Sequence, residues 1–388
     1  FTLSNCVNSG VRKLAILTQY QPLSLIDHIG VGAPWYLDRP DSLLQIIQAH
    51  LAGKGRGWYK GTADAVRQNL QYILEQGAEY LLILSGDQVY SMDYSAMFEF
   101  HREVQADVTL AVTRVPREEL ERFGTVSVDE AWRVVGFQEK VKEPRSDLVS
   151  MGVYLFTMPV LQQCLEEDAR SRTSRHDFGQ NVIPRLVRRA RVFAYHFDGY
   201  WRDVGTIDSY WRANMDLLEM SPSPLFNSGW PIRTKEEERP AAMLSETAEV
   251  VNSLVCSGCV IEGRVEHSVL SPGVMVAEGA LVKDSIVMND SVIGQGSVVN
   301  LCVLDKEVTV EAGGQLGYGN DFRPNRQAPR ILSSGITIVG KRAAIPLGVK
   351  VGHNCIIEPG VSEDDFPASE VPSGETVRVR GKRSRRGG

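Results

Sequence analysis

No apolar run in this chain approaches the roughly 18 residues that a membrane-spanning helix needs, and its first residues lack the basic-then-apolar order of a secretory signal. Neither a membrane protein nor an exported one is expected, and the cytoplasm is the expected compartment. Cysteine is sparse. Cys6, Cys164, Cys256, Cys259, Cys302 and Cys355 are scattered through the chain, which fits reduced thiols better than a disulfide framework. Cys256 and Cys259 form a C-x-x-C pair, but no second pair or nearby histidine couple completes a zinc set, so packed thiols are expected there. A basic excess is missing as well. A formal net charge of -6 argues against nucleic acid as the main partner.

What is present is an ordinary globular composition, 43% hydrophobic and 23% charged, over 388 residues. That length exceeds one typical core, so two domains are expected. The chain opens on Phe1-Thr2-Leu3-Ser4-Asn5 with neither methionine nor a first strand, which leads to the expectation of a preceding segment. Val11 to Thr18 reads as a buried strand, followed by a helix near Leu23 to Ile29. Residues 30–57 carry many glycines and prolines without a clear period and are expected to form a long surface insertion. Apolar positions Val66, Leu70, Ile73 and Leu74 keep helical spacing. Strands are predicted at Tyr80 to Leu84, Val108 to Val115, Met151 to Phe156 and Val192 to Phe197. A helix is predicted over Tyr94 to Gln105 and a hairpin over Phe123 to Val128 and Arg133 to Phe137. This alternation predicts an α/β domain with a mostly parallel sheet up to about residue 218.

Several polar residues fall where such a sheet places ligands. Asp87 follows the strand Tyr80 to Leu84, beyond its carboxyl end. The stretch Phe197-Asp198-Gly199-Tyr200-Trp201-Arg202-Asp203-Val204-Gly205-Thr206 sets a second carboxylate, Asp203, between an aromatic pair and a glycine where a strand gives way to a helix near Asp208 to Leu218. Gly61 and Thr62 stand just before a helix, where unbonded backbone N–H groups and a small side chain let a ligand come close. Lys140, after Glu139 at a strand end, is a mobile cation suited to a phosphate. Each has a plainer alternative: a turn at Gly86-Asp87, an arginine pair for Asp203, an ordinary cap at Thr62, a solvated lysine at 140. Two separated aspartates, a phosphate-suited lysine and a Gly-Thr turn nevertheless suit phosphoryl or nucleotidyl transfer, with Mg²⁺ held by carboxylates.

Residues 219–245, rich in Pro, Ser and Glu, break both periods and are expected to be a linker. The pattern then changes: Val274, Ala280, Ile286, Val292, Val298, Leu304 and Val310 recur every six residues, and Val339, Ile345, Val351 and Ile357 do so again. Six-residue periodicity predicts a parallel β-helix whose coils stack their apolar corners. Residues 314–334 read as a loop thrown out between coils. The last residues, with Arg378, Arg380, Lys382, Arg383, Arg385 and Arg386, are expected to form a disordered basic tail.

Taken together these stretches resemble the glucose-1-phosphate adenylyltransferase (ADP-glucose pyrophosphorylase) family over nearly the whole chain. The resemblance rests on Leu3 to Gly10, Leu17-Thr18-Gln19-Tyr20, Trp58 to Val66, Gly86 to Tyr94, Ser150-Met151-Gly152-Val153-Tyr154, His176-Asp177-Phe178-Gly179 and Tyr200 to Tyr210. It implies a Rossmann-like α/β nucleotidyltransferase domain, incomplete at its N-terminus, over residues 1–218, and a left-handed parallel β-helix over 246–377. It also implies that ATP and glucose 1-phosphate are joined to ADP-glucose and pyrophosphate for glycogen or starch synthesis. On that analogy Asp87 and Asp203 hold Mg²⁺, Lys140 binds the sugar phosphate, Glu139, Ser150 and Gly152 line the glucose pocket, and Gly61 and Thr62 approach the nucleotide. A homotetramer and an effector site for metabolites are implied with them.

The departures are specific. The family's G-G-x-G-x-R-L loop, which cradles the triphosphate, does not occur in these residues; a segment carrying it is expected upstream, and the chain without it is expected to be a poor catalyst. Gln88 stands where the family usually has histidine, Val141 where it usually has proline, and Gln48-Ala49-His50 where it has a proline-alanine-glutamine-glutamine stretch. Ala242 falls near a position that is often lysine, which bears on effector response. The alternatives to an adenylyltransferase are a catalytically silent regulatory or scaffold subunit of the same family and a mannose-1-phosphate guanylyltransferase.

Overall fold

The computed structural model describes residues 1–49, 58–220 and 227–380. His50, the end of the expected insertion and most of the basic tail, including Lys382, Arg383, Arg385 and Arg386, lie outside the described residues. The described chain divides into two compact units. One comprises residues 1–201 with 224–236, and the other residues 202–223 with 237–388.

The first unit is built on a six-stranded sheet. Its order is Val134–Glu139, Gly124–Val128, Leu148–Thr157, Val108–Arg114 and Val192–His196, with Tyr80–Leu84 also joined to Leu148–Thr157. Alternation along the two central strands decides its layers, because successive side chains of a strand face opposite sides. Val108, Leu110, Val112, Tyr154 and Phe156 pack on one face against Val66, Ile73, Leu161, Leu165 and Ile183. Ala111, Met151, Val153 and Leu155 pack on the other, against Cys6 and Met97. Both faces are covered, which is why Val108 to Val112 is continuously buried rather than half polar.

The sheet is mixed where a mostly parallel one was expected. Val108–Arg114 is parallel to Val192–His196, but Leu148–Thr157 runs antiparallel to Val108–Arg114 and to Tyr80–Leu84. The cause is the excursion through the hairpin Gly124–Val128 and Val134–Glu139, from which the chain returns in the opposite sense. A further correction concerns the insertion. Leu43–Gln48 is a strand, paired in parallel with Lys13–Thr18 from Lys13 with Leu43 to Thr18 with Gln48. Its sequence, Leu-Leu-Gln-Ile-Ile-Gln, is short and follows a Pro/Gly-rich stretch that obscures it. The helix Thr2–Asn8 was not anticipated either. It anchors the middle of the expected linker: Asn5 Oδ1 accepts from Trp230 Nε1 at 2.9 Å, Asn8 Oδ1 from Arg233 Nη1 at 2.7 Å, and Ser4 Oγ from Arg233 N at 2.9 Å.

The second unit carries three sheets of two- and three-residue parallel strands, of six, seven and seven strands, stacked as a left-handed parallel β-helix. Met275 pairs with Val292 and Val292 with Thr309, so each of these coils takes 17 residues. Three hexapeptides would take 18, and the difference corrects the predicted core. Val274, Ala280, Ile286, Leu304 and Val310 are buried, but Val292 and Val298 are only partly so. Their neighbours Ile293 and Val299 are fully buried and fill the stack with Ile261, Val276, Val310 and Ile345. The second series, Val339, Ile345, Val351 and Ile357, is buried throughout. The loop after Leu316 is tied down by Asn325, whose Nδ2 donates to Asn354 O at 3.0 Å, and by Phe322 stacked on His353 at 4.2 Å. Cys259 packs in this core, and burial pushes its thiol and that of Cys256 up. Helix Ile207–Glu219, capped by Thr206 and Ser209, belongs to the same unit, where Trp211 Nε1 donates to Asp284 O at 2.8 Å.

Candidate active site

In the first unit Asp87 follows the carboxyl end of Tyr80–Leu84 and Glu139 and Lys140 stand at that of Val134–Glu139, whereas Ser150 and Gly152 lie within the antiparallel strand Leu148–Thr157 and Gly61 and Thr62 open the helix Thr62–Gln68. Asp87 leaves the strand Tyr80–Leu84 exposed, with Ser85 Oγ donating to its Oδ1. Ser85 N donates to Gly152 O at 3.2 Å, so that turn is pinned to the middle of Leu148–Thr157. Gly152 has φ +67, a conformation that L side chains rarely adopt, and its missing Cβ would lie 3.4 Å from Gln88 Nε2. Gln88, the departure from the family's histidine, is buried and accepts from Trp201 Nε1 at 3.1 Å through its Oε1. Two residues before Gly152, buried Ser150 accepts the Gly152 N–H at 3.3 Å and donates to Tyr154 Oη at 3.4 Å.

Glu139 ends the hairpin strand and is half-buried. Its Oε2 is clasped between two glycines, because a Cβ at Gly124 or at Gly179 would each come within 2.6 Å of it. Burial raises the carboxyl above its ordinary range, Lys140 opposes the shift, and Asp177 adds to it. Lys140 has φ +50 and its Nζ stands 3.9 Å from Glu139 Oε1, with the ammonium largely exposed. Tyr154, pushed up to about 12 by burial, senses the charges of Glu139 and Asp177. Asp177 and Tyr154 were absent from the predicted set although both lie in the stretches that carry the family resemblance. Gly124 is the cross-strand partner of Glu139, so its signal lay in the register of the predicted hairpin, whereas only the fold brings Gly179 against Glu139.

Gly61 and Thr62 face the same segment, for a reason different from the one expected. Gly61 has φ −176, which any residue adopts, but a Cβ there would meet His176 O at 2.4 Å and Arg175 O at 2.5 Å. The N–H groups of Ala63 and Asp64 are not left for a ligand: both donate to His176 O, at 2.9 and 3.2 Å. Thr62 Oγ1 donates to Asp177 Oδ2 at 3.0 Å and accepts from Phe178 N at 3.0 Å. Behind this contact lies buried Asp168, paired with His176 Nδ1 at 2.7 Å, Ser174 Oγ at 2.7 Å and Arg185 Nη1 at 3.0 Å. Asp87, Glu139, Lys140, Ser150, Gly152, Gly61 and Thr62 are thus linked through Ser85, Tyr154 and Asp177.

Asp203 ends the strand Trp201–Asp203 and is described with the second unit, where its Oδ1 accepts from Gly205 N at 3.2 Å. Among the described residues no three His, Cys, Asp or Glu side chains form a metal cluster. Asp87 and Asp203 each offer oxygen donors alone, without thiolate or imidazole, which is the ligand chemistry a hard divalent cation takes. Among the same residues no helix is long and apolar enough to cross a membrane.

A mixed α/β sheet with polar groups at its strand ends, joined to a hexapeptide β-helix, defines a nucleotidyltransferase of the two-domain, β-helix-bearing class. Comparison with known proteins agrees: the nucleotidyl transferase family matches residues 1–220, and the GlmU-like C-terminal hexapeptide family matches residues 240–339. Glucose-1-phosphate adenylyltransferase of Thermomicrobium roseum is 52% identical over 97% of this chain and 89% of its own length. Those of Acetivibrio thermocellus and Thermotoga neapolitana are 44% and 42% identical, each over 98% of this chain and 90% of theirs. The chain belongs to the glucose-1-phosphate adenylyltransferase family, whose members use a divalent metal.

Proposed function

We propose that the protein transfers the adenylyl group of ATP to glucose 1-phosphate, giving ADP-glucose and pyrophosphate for glycogen or starch synthesis. The observation that carries this reading is the half-buried Glu139, clasped by Gly124 and Gly179, with Lys140 beside it and Ser150, Gly152 and Tyr154 behind. Such a pocket offers a carboxylate to sugar hydroxyls and a cation to the sugar phosphate.

In this reading Lys140 receives the phosphate of glucose 1-phosphate and Glu139 orients the ring. A phosphate oxygen of the sugar then attacks the α-phosphorus of ATP, and the bond from that phosphorus to the bridging oxygen breaks as pyrophosphate leaves. No proton must be taken from the ionised phosphate, so positioning dominates the rate. Gly61 and Thr62 lie toward the nucleotide. Asp87 and Asp203 would hold Mg²⁺, which supplies charge neutralisation on the phosphate oxygens. The family resemblance supports a homotetramer, a metabolite effector and a cytoplasmic setting, and the composition shift at residues 219–245 supports a division between catalytic and β-helix domains there.

The test is pyrophosphate release by the protein as its gene encodes it, with ATP or GTP against glucose 1-phosphate or mannose 1-phosphate. Turnover confined to ATP and glucose 1-phosphate is expected. A preference for GTP and mannose 1-phosphate would make it a guanylyltransferase, and no turnover with any pair would make it a silent subunit.

A further inference from the structure

Lys60 and the turn that follows helix Met158–Arg170 line a cleft of about 500 Å³ within the first unit. Its walls carry Lys60, Arg170, Arg172, Arg175 and His176, with the hydroxyls of Ser171 and Ser174, and no carboxylate lines it. This runs against the protein's overall balance, a net charge of -6. The neighbouring acids are committed elsewhere. Asp168 is buried beneath the turn, bound to His176, Ser174 and Arg185, and Glu167, although its charge reaches Arg170, is ion-paired with Arg189. Lys60, Arg172 and Arg175 make no ion pair among the described residues. Four cations facing one concave space repel one another, and an anion placed among them removes that repulsion.

We propose that this cleft is a binding site for a multiply charged, phosphate-bearing small molecule, separate from the site that Lys140 serves. Guanidinium forks match phosphate oxygens in pairs, and Lys60 supplies a point charge from the opposite segment. The cleft is open to solvent, and its volume of about 500 Å³ has room for a small ligand. An extended polyanion such as nucleic acid would meet the acidic remainder of the surface. The ligand would also touch both sides of the contact between Gly61 and His176, because Lys60 adjoins Gly61 and His176 lines the cleft. The assignment does not depend on the adenylyltransferase reading, since none of its residues is used there.

Calorimetric titration of the protein with inorganic phosphate tests it. The double variant Arg172→Gln/Arg175→Gln should bind phosphate about tenfold more weakly or worse, as expected when two charge-assisted contacts are lost. Lys60→Gln, on the other wall, should weaken it in the same direction, and Lys140→Gln should leave this binding unchanged. Thermal melting of each variant checks that the exposed substitutions leave the fold intact. The proposal fails if phosphate binds the double variant and Lys60→Gln as it binds the parent, if Lys140→Gln alone abolishes uptake, or if the parent takes up none. Loss of glucose 1-phosphate turnover in Lys140→Gln would bear on the other site only.

Discussion

Replacing Gly61 with alanine separates two explanations of the same glycine. A methyl group there would sit 2.4 Å from His176 O and 2.5 Å from Arg175 O, about 1 Å inside ordinary contact. Both obstacles are backbone and cannot rotate away, so the segment from Arg175 to Gly179 must shift. Overpacking of this kind costs about 1–3 kcal/mol, and a loosened His176 carbonyl would also deprive Ala63 and Asp64 of their acceptor. For a unit of this size the melting temperature should fall by about 2–4 °C per kcal/mol. The same shift carries Asp177 and Gly179 away from Glu139, and misplacement by about 1 Å costs up to about 10² in rate. Steady-state kinetics on Gly61→Ala should therefore show kcat/KM for glucose 1-phosphate falling at least tenfold, together with the lower melting temperature. An unchanged melting temperature with a rise confined to the KM for ATP would refute this reasoning and return the glycine to the nucleotide.

Three further outcomes are expected. Asp203→Asn should lower turnover by about two powers of ten or more while leaving the melting temperature within about 2 °C, because an amide keeps the shape but loses the charge a metal needs; near-normal turnover removes Asp203 from the site. Buried His101, bonded to Thr109 Oγ1 at 2.8 Å and Thr157 Oγ1 at 3.1 Å, has its basicity lowered to about 4, chiefly by burial, with Asp107 opposing and Arg191 reinforcing the shift. The folded value lies below the unfolded one, so this group's contribution to stability is present above about pH 6.5 and is lost as pH falls toward 4. It amounts to up to about 3 kcal/mol. Melting scans between pH 7.5 and 4.5 should show a slope that His101→Gln reduces; an unchanged slope excludes His101 as its cause. In the β-helix, Ile293→Ala should cost about 2–5 kcal/mol and Val292→Ala about 1 kcal/mol or less in denaturant unfolding, and a reversed order would mean that the 17-residue register is wrong.

Much of the fold was legible because its signals are local. The strand Tyr80–Leu84 and the helix Leu23–Ile29 match their predicted spans, since each follows from its own short run of residues. The strand Leu43–Gln48 was missed because it depends on a partner, Lys13–Thr18, some thirty residues away. The β-helix was recognisable by its period, yet the phase slipped at Val292 and Val298, because a five-residue step can replace a six-residue one wherever a coil closes in 17 residues. The candidate site divides the same way. Asp87, Glu139 and Lys140 advertise themselves as polar residues at strand ends and Gly124 faces Glu139 across a local hairpin, whereas Gly179 meets Glu139 only because packing joins segments that sequence distance keeps apart.

By itself, the sequence determined what depends on residue type and on neighbours along the chain: an α/β unit followed by a hexapeptide β-helix, and a set of carboxylates, a lysine and glycines suited to nucleotidyl transfer. Only the tertiary structure decided the direction of Leu148–Thr157 within the sheet, the phase of the coils, and the reason residue 61 is glycine. Local propensity acts over a few residues and can be read in order. Packing joins residues more than a hundred positions apart, as Thr62 and Asp177 are joined at 3.0 Å, and that pairing exists only once the chain has folded.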